Sequence, residues 1–460
     1  MLVGGPRKDP MAFLFGRMPA NSGLDSSSDR SRMARRAAFG SALGSALEWL
    51  DFTAYGAVSA TVFPKLFFPT LDPASAVLAS FATFGVGFIA RPAGGIVFGL
   101  LGDRIGRKKV LLITFMLMGA SSLLIGLMPP YARIGIWAPG LIVLLRFLQG
   151  FALGGEATGA QLFTMEHAPP DRRGLFGSFI NMAAPISQVV ANGLLFLISA
   201  VMSEDQFLHF GWRIPFLLSV VLIVLGVFIR YRVAETPAFE ALVERTTKPA
   251  SDQHHFLPAP SIRRHLGTIL RLLMFWAGPA SCYYVVTVFS VSFLTIQTGV
   301  SARIAFLCLM AANAVAVLTT LIGGAATDRF GRKPPLLVAS FVMLSISAFY
   351  FSILGTGNVL LIIIAMSLFA GSIQAQSGIL PSFFAEQFPT SVRYTGSALA
   401  YTGANLFFAG PTPFVAAWIL QRSNGSTTGI TALCVGLIGI SVVALLMSPE
   451  TRNVDINAPE

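Results

Sequence analysis

The sequence predicts an all-α integral membrane protein of twelve transmembrane helices, arranged as two pseudo-symmetric six-helix bundles with both termini cytoplasmic. Three observations predict it. The chain is 54% hydrophobic and 12% charged, whereas soluble domains are about 25% charged. A short basic string occurs twice. Gly99, Asp103, Arg104, Gly106, Arg107 and Lys108 recur as Gly324, Asp328, Arg329, Gly331, Arg332 and Lys333, each 225 positions later. Finally, the 32 Lys and Arg residues separate by side: 25 on one predicted side, five on the other and two inside helices. Basic residues are retained on the cytoplasmic side, so this skew fixes orientation. It also explains the net charge of +11 without nucleic-acid binding.

A span needs about 20 mostly apolar residues, and its backbone groups must be satisfied within the segment, so the spans are helices. Twelve runs qualify: 37–64, 76–101, 110–128, 138–166, 174–201, 211–231, 267–297, 303–327, 335–354, 358–386, 394–420 and 428–448. Residues 1–36 read as a polar cytoplasmic tail with no cleavable signal peptide. Residues 37–231 form the first bundle. Residues 232–266, with Pro237, Pro249, Pro258, Pro260 and charges of both signs, form a cytoplasmic linker. Residues 267–448 form the second bundle, and 449–460 a short tail. The repeat extends past the basic string: Glu166, Pro169 and Arg173 return as Glu386, Pro389 and Arg393, 220 positions on. Internal repeats of this kind mark secondary transporters. Cys282, Cys308 and Cys434 lie within apolar runs without paired spacing, which suits packing. None of the five histidines falls mid-membrane, and no spacing suggests a metal site.

Two six-helix halves, a central linker and this loop after the second and eighth spans resemble the major facilitator superfamily over nearly the whole chain. Further motifs narrow the resemblance. They are Gly44, Glu48, Trp49, Asp51, Phe52, Tyr55 and Gly56 on the first span, and Arg91, Pro92, Gly94, Gly95, Phe98 and Gly99 on the second. Arg146, Gln149, Gly150, Gly154, Gly155 and Glu156 lie on the fourth, and Gly211, Trp212, Arg213, Pro215 and Phe216 open the sixth. Glu386, Pro389, Arg393, Tyr394 and Gly396 follow the tenth. This set resembles the metabolite:proton symporter family of shikimate, 2-oxoglutarate, citrate and proline/betaine carriers. Leu50 departs from it, standing where an aromatic is more usual. The short tail lacks the heptad extension of osmosensing proline/betaine carriers, so the resemblance leans away from that subgroup.

A charge at the bilayer centre costs at least about 2.5–3.5 kcal/mol, needs a partner and marks a transport path. Glu48, Asp51, Arg91, Arg146 and Glu156 all fall deep in the first half, and the second half has no counterpart. Glu48, Asp51 and Tyr55, at i, i+3 and i+7, share one helix face. Two carboxylates this close in low dielectric do not both ionise easily, which suits a proton carrier. The alternative is a structural ion pair with Arg91 or Arg146. Arg91 is a candidate carboxylate clamp, or else a partner for the acids of the first helix. For Arg146 the resemblance implies a part in coupling, against a structural pair with Glu156 or Asp51. Tyr55, Gln149, Asn181, Gln188, Tyr283, Tyr284, Gln374 and Asn405 are candidate substrate contacts in a central cavity, with interhelical hydrogen bonds as the plainer role of each.

The repeated loop reads as a cytoplasmic gate. Gly99 and Gly324 permit close helix approach, Asp103 and Asp328 suit a helix N-terminus in the opposite half, and Arg107 and Arg332 face Glu166 and Glu386 at nearby helix ends, with Arg393 beyond. Plain topology-setting charge is the alternative. The expectation is a proton-coupled symporter, not an enzyme, in a bacterial inner membrane. It would import a small polar metabolite, an organic acid first among the choices, by alternating access. It would need no cofactor beyond the coupling proton, no nucleic acid, and would be a monomer in the bilayer. An efflux antiporter of the same fold is the rival. The fifth span offers Ala183, Ala184, Pro185 and Ile186 without the flanking glycines common in antiporters, which counts against it.

Overall fold

The computed structural model describes residues 49–105, 107–154, 165, 168–220, 262–390, 392–452 and 454. Helices are numbered by the span they belong to. In the first half these are α1 (49–61), α2 (Pro73–Ile105), α3 (Arg107–Leu127), α4 (Trp137–Leu153), α5 (Arg173–Val201) and the start of α6 from Ile214. The second half holds α7 (Ile262–Gln297), α8 (Ala302–Phe330), α9 (Lys333–Leu354), α10 (Val359–Ala385), α11 (Arg393–Arg422) and α12 (Thr428–Leu446). Eight of these are long and apolar enough to cross a membrane, and α3 and α4 hold shorter apolar stretches.

Helix ends follow local chemistry. Ser301 caps α8 through its side chain, and Asn358 caps α10 by accepting from the N–H groups of Leu360 and Leu361. Gly331 (φ +88°) ends α8 in a conformation that side chains resist, and Pro334 and Pro335 follow in the first turn of α9, where proline lacks no needed donor.

Glycine sets the tightest crossings inside each half. A Cβ on Gly150 of α4 would lie 2.1 Å from the Gly87 carbonyl of α2, and one on Gly94 would lie 1.8 Å from that of Phe151. The equivalent pair in the second half behaves alike: a Cβ on Gly378 of α10 would lie 2.2 Å from the Thr320 carbonyl of α8. In lipid, where no hydrophobic force draws helices together, such backbone approach supplies the packing.

The halves meet along α5 against α8 and α10, and along α2 against α11. They touch at the cytoplasmic end, where Gly174 faces Gly324, and in the centre, where Gly56 of α1 lies against Val288 of α7. At the outer end Arg303 donates to the Ser199 carbonyl (2.9 Å), and the rings of Phe207 and Phe306 sit 6.3 Å apart. Two helices of the second half carry a π-turn, Val285–Phe289 in α7 and Asn405–Ala409 in α11. The helical periodicity of the sequence does not announce either. Such turns accompany functional sites often.

Candidate functional site

The centre of the first half is a polar chain inside an aromatic shell. Asp51 on α1 is buried and accepts a hydrogen bond from Ser122 of α3. Ser122 Oγ accepts in turn from Gln149 Nε2 (2.8 Å), and Gln149 Oε1 accepts from Arg146 Nη1 (2.7 Å). Asp51 and Arg146 therefore communicate through two neutral side chains and form no direct ion pair. Arg146 has no exposed surface. Its guanidinium carbon lies 4.3 Å from the ring centre of Phe52, 4.1 Å from that of Tyr55 and 5.0 Å from that of Phe84. Cation–π attraction of this kind is worth about 2 kcal/mol when desolvated. Nε and Nη2 of Arg146 and Oδ1 of Asp51 make no hydrogen bond among the described residues.

Arg91 on α2 is half-buried. Its guanidinium lies over Phe88 (4.5 Å) and over the same Phe52 ring (4.9 Å), and it pairs with no carboxylate among the described residues. Tyr55 is fully buried, its hydroxyl 2.7 Å from that of Thr83. Glu48 and Glu156 lie outside the described residues.

The polar stripe of α5 reaches across to the second half. Gln188 Nε2 donates to the Tyr283 hydroxyl (3.1 Å), and Asn192 Nδ2 donates to Gln188 Oε1 (2.8 Å). Asn181 Nδ2 donates to the Ser377 carbonyl of α10 (2.5 Å). Tyr283 packs edge-on to Trp49 and Tyr284, and Tyr284 packs edge-on to Phe52, Phe84 and Phe88. Trp49, Phe52, Phe84 and Phe88 of the first half thus close on the two tyrosines of α7, with Arg91 at the same cluster. Asn405 donates to the Tyr401 carbonyl one turn back, at the α11 π-turn. Gln374 is buried, and its Oε1 has no donor among the described residues. Of the candidate contacts, Gln149 and Tyr55 are occupied within the first half, whereas Gln188, Asn181, Tyr283 and Tyr284 stand where the halves meet. Cys282 of α7 and Cys434 of α12 are both buried and carry free thiols.

The second polar cluster lies at the cytoplasmic end. The Asp328 carboxylate accepts from the backbone N–H groups of Gly174 (2.7 Å) and Leu175 (2.9 Å) at the N-terminus of α5, in the other half. A negative charge there meets the positive end of the helix. A Cβ on Gly324 would lie 2.5 Å from the Gly174 carbonyl, so this crossing excludes larger residues on both helices. Arg332 grips Glu386 with two bonds (Nε to Oε2, 3.0 Å; Nη2 to Oε1, 2.7 Å), and its Nη1 donates to Asp328 (3.1 Å) and Thr327 (3.0 Å). Burial alone would lower the affinity of Arg332 for its proton, but the carboxylates of Glu386 and Asp328 outweigh it and hold the group above its ordinary value. Arg393 Nε donates to the Ala385 carbonyl, tying the start of α11 to the end of α10. Gly99 lies within α2 and Asp103 near its end, and Arg107 opens α3, but their side chains, like Glu166, lie outside what is described.

The segment after α12 completes this cluster, and the motif pattern does not point to it. Glu450 accepts from the backbone N–H groups of Arg332 (2.7 Å) and Lys333 (2.9 Å), capping α9. Burial pushes the Glu450 carboxyl up, but these bonds and those from Thr451 and Arg452 bring it below the usual carboxylate value. Thr451 donates to Glu386 Oε2 (2.8 Å), Arg452 to the Arg329 carbonyl (2.7 Å), and Arg173 of the first half to the Val454 carbonyl (3.0 Å). A carboxylate near the end of the chain was the available signal, but nothing in its spacing ties it to α9.

Comparison with known proteins gives a consistent result. A family model described as Major Facilitator Superfamily matches residues 37–411. The inner membrane metabolite transport protein YhjE of Escherichia coli is 36% identical over 424 residues, covering 90% of this chain and 93% of that protein. The glycine betaine/proline/ectoine/pipecolic acid transporter OusA of Dickeya dadantii is 36% identical, covering 91% of this chain and 84% of its own length. The shikimate transporter of E. coli is 34% identical, covering 91% and 95%. Among solved structures, the proton:xylose symporter XylE superposes with a TM-score of 0.70 at 18% identity, covering 92% of this chain and 97% of that one, a likeness of fold.

Proposed function

This chain belongs to the major facilitator superfamily, as a multi-pass membrane transport protein and not an enzyme, and from that premise we propose that it is a proton-coupled symporter of a small organic acid. It would act as a monomer in a bacterial inner membrane, by alternating access, with the proton as its coupling ion and no bound cofactor. The observation that carries the proposal is the trio of buried Asp51, buried Arg146 and half-buried Arg91, none of which is ion-paired among the described residues. Buried charge without a counter-ion is costly, and a transported ion is the group that would balance it.

The net charge of the trio supports symport. A proton taken by Asp51 adds one positive charge, and a carboxylate bound by Arg91 adds one negative charge. Together they leave the cluster as charged as it was when empty. The ionised trio sums to one positive charge, so a proton alone would raise it to two and make passage through the closed state more expensive, and an accompanying carboxylate removes that added charge. We place the substrate carboxylate on Arg91 because that arginine is partly accessible and stands at the aromatic cluster between the halves, whereas Arg146 is sealed beneath three rings. Relatives named for shikimate and for glycine betaine and proline have substrates with a single carboxylate in common, which fits one partly accessible guanidinium. Trp49, Phe88, Tyr283 and Tyr284 would enclose the apolar body of such a substrate. The Asp328, Arg332 and Glu386 cluster would hold the cytoplasmic side shut and release when that side opens.

The test is uptake into proteoliposomes with an alkaline interior, offering labelled shikimate, 2-oxoglutarate, citrate, an aromatic acid and glycine betaine, with and without a protonophore. Protonophore-sensitive accumulation of one monocarboxylate is expected. Export of a preloaded compound under the opposite gradient, with no accumulation, would assign the chain to antiport.

A further inference from the structure

We propose that Ser122 is a positioning residue which, with Gln149, ties the charge state of Asp51 to the hold on Arg146. The inference starts from donor and acceptor inventories. A guanidinium only donates, so the Gln149 oxygen must face Arg146 and its NH2 must face Ser122. Ser122 then accepts from Gln149 and spends its single proton on the Asp51 carboxylate. Every bond in the row therefore points from the cation to the anion. A row with one polarity strengthens each of its members.

Protonation of Asp51 weakens this row whichever oxygen receives the proton. On Oδ1, which has no partner among the described residues, it removes the negative charge that terminates the row. On Oδ2 it sets a donor against the Ser122 donor and forces that hydroxyl proton to another acceptor. Gln149 then holds Arg146 less firmly, and Arg146 already has two nitrogens, Nε and Nη2, without acceptors among the described residues. The groups around Asp51 make this path the effective one. Ser122 comes from α3, Arg146 and Gln149 from α4, and Arg91 of α2 stands across the shared Phe52 ring; on its own helix Tyr55 lies four residues on, and Glu48 is outside the described residues. Gly87 makes room for the arrangement: a Cβ there would lie 3.0 Å from Arg146 Nε and crowd the guanidinium.

The inference rests on the transport reading for its significance, but its test does not. The carboxylic C=O stretch of Asp51, assigned by its absence in Asp51→Asn, is followed by infrared difference spectroscopy against pH in reconstituted protein. In Ser122→Ala the ionised carboxylate loses its donor, so the midpoint should move alkaline by roughly one pH unit or more. Ser122→Thr, which keeps the hydroxyl, should restore it. Gln149→Leu should shift the midpoint in the same direction by less, and the Ser122→Ala, Gln149→Leu pair should shift no further than Ser122→Ala alone, because both lie on one path. An unmoved midpoint in Ser122→Ala, or additive shifts in the pair, would overturn the proposal while leaving symport intact. Conversely, the expected shifts in a protein that accumulates none of the five compounds would retain the relay and remove the symport reading.

Discussion

Arg332 and Arg146 are both buried arginines, and they are treated in opposite ways. Arg332, at the cytoplasmic end, makes four hydrogen bonds to Glu386, Asp328 and Thr327. Among the described residues Arg146, at membrane depth, makes one, to a neutral amide, and otherwise rests on aromatic rings. A saturated guanidinium joins structural elements. One with unmet donors retains the capacity to respond to a new anion or to a change in its neighbour. The same residue type is therefore saturated at one site and left with unmet donors among the described residues at the other, which suits the latch and coupling roles proposed for them.

The largest expected effect breaks the central side of this contrast. Asp51→Asn should abolish protonophore-sensitive accumulation while leaving substrate exchange between equal pools, because the neutral amide holds the row in its uncharged form; accumulation at the wild-type level would remove Asp51 from coupling. Next, Glu386→Gln leaves the Arg332 charge half-satisfied and should weaken the closed cytoplasmic side by about 3–5 kcal/mol. A cysteine placed at Ser377 should then react faster with an impermeant thiol reagent from that side, and an unchanged rate would show that the pair does not maintain closure.

Arg91→Lys sharpens the comparison further, since a lysine keeps the charge but not the fork. Binding of a monocarboxylate should fall roughly tenfold to a hundredfold, the worth of one charge-assisted bond, against a much smaller loss for its uncharged amide analogue. Equal losses would mark Arg91 as structural. The smallest effect belongs to the tail. Glu450→Gln should cost about 1 kcal/mol of thermal stability as a weakened helix cap. Because the Glu450 carboxyl is held below its usual value when folded, its contribution is present above the ordinary carboxylate range and is lost as pH falls through its folded value. The variant should therefore lack that part of the acid-side decline in melting temperature, and an identical decline in both proteins would show that Glu450 contributes nothing.

Much of the cytoplasmic cluster was legible because its motif is repeated. Duplication isolated Asp328, Arg332 and Glu386 from ordinary basic loops, and a carboxylate and an arginine at helix ends have few ways to meet. The central site was legible only by residue type. Rare charges in apolar runs singled out Asp51, Arg91 and Arg146, because lipid makes such charges expensive. Their connections were not legible. A serine in an apolar helix is ordinary, so Ser122 carried no mark, and Gln149 gave no sign of facing Arg146 and Ser122 rather than the space between the halves.

The sequence by itself determined the class, the number of spans, their orientation and the pairing of the halves, since each follows from hydropathy, charge asymmetry and repetition along one dimension. The tertiary structure alone decided that Asp51 reaches Arg146 through two neutral side chains, that Arg91 rather than Arg146 stands at the meeting of the halves, and that Glu450 and Thr451 join the cytoplasmic cluster. These depend on how helices distant in sequence rotate against one another. Glycine contacts such as Gly150 on Gly87 and Gly174 on Gly324 fix that rotation, because a few tenths of an ångström at a crossing decide which side chains face each other.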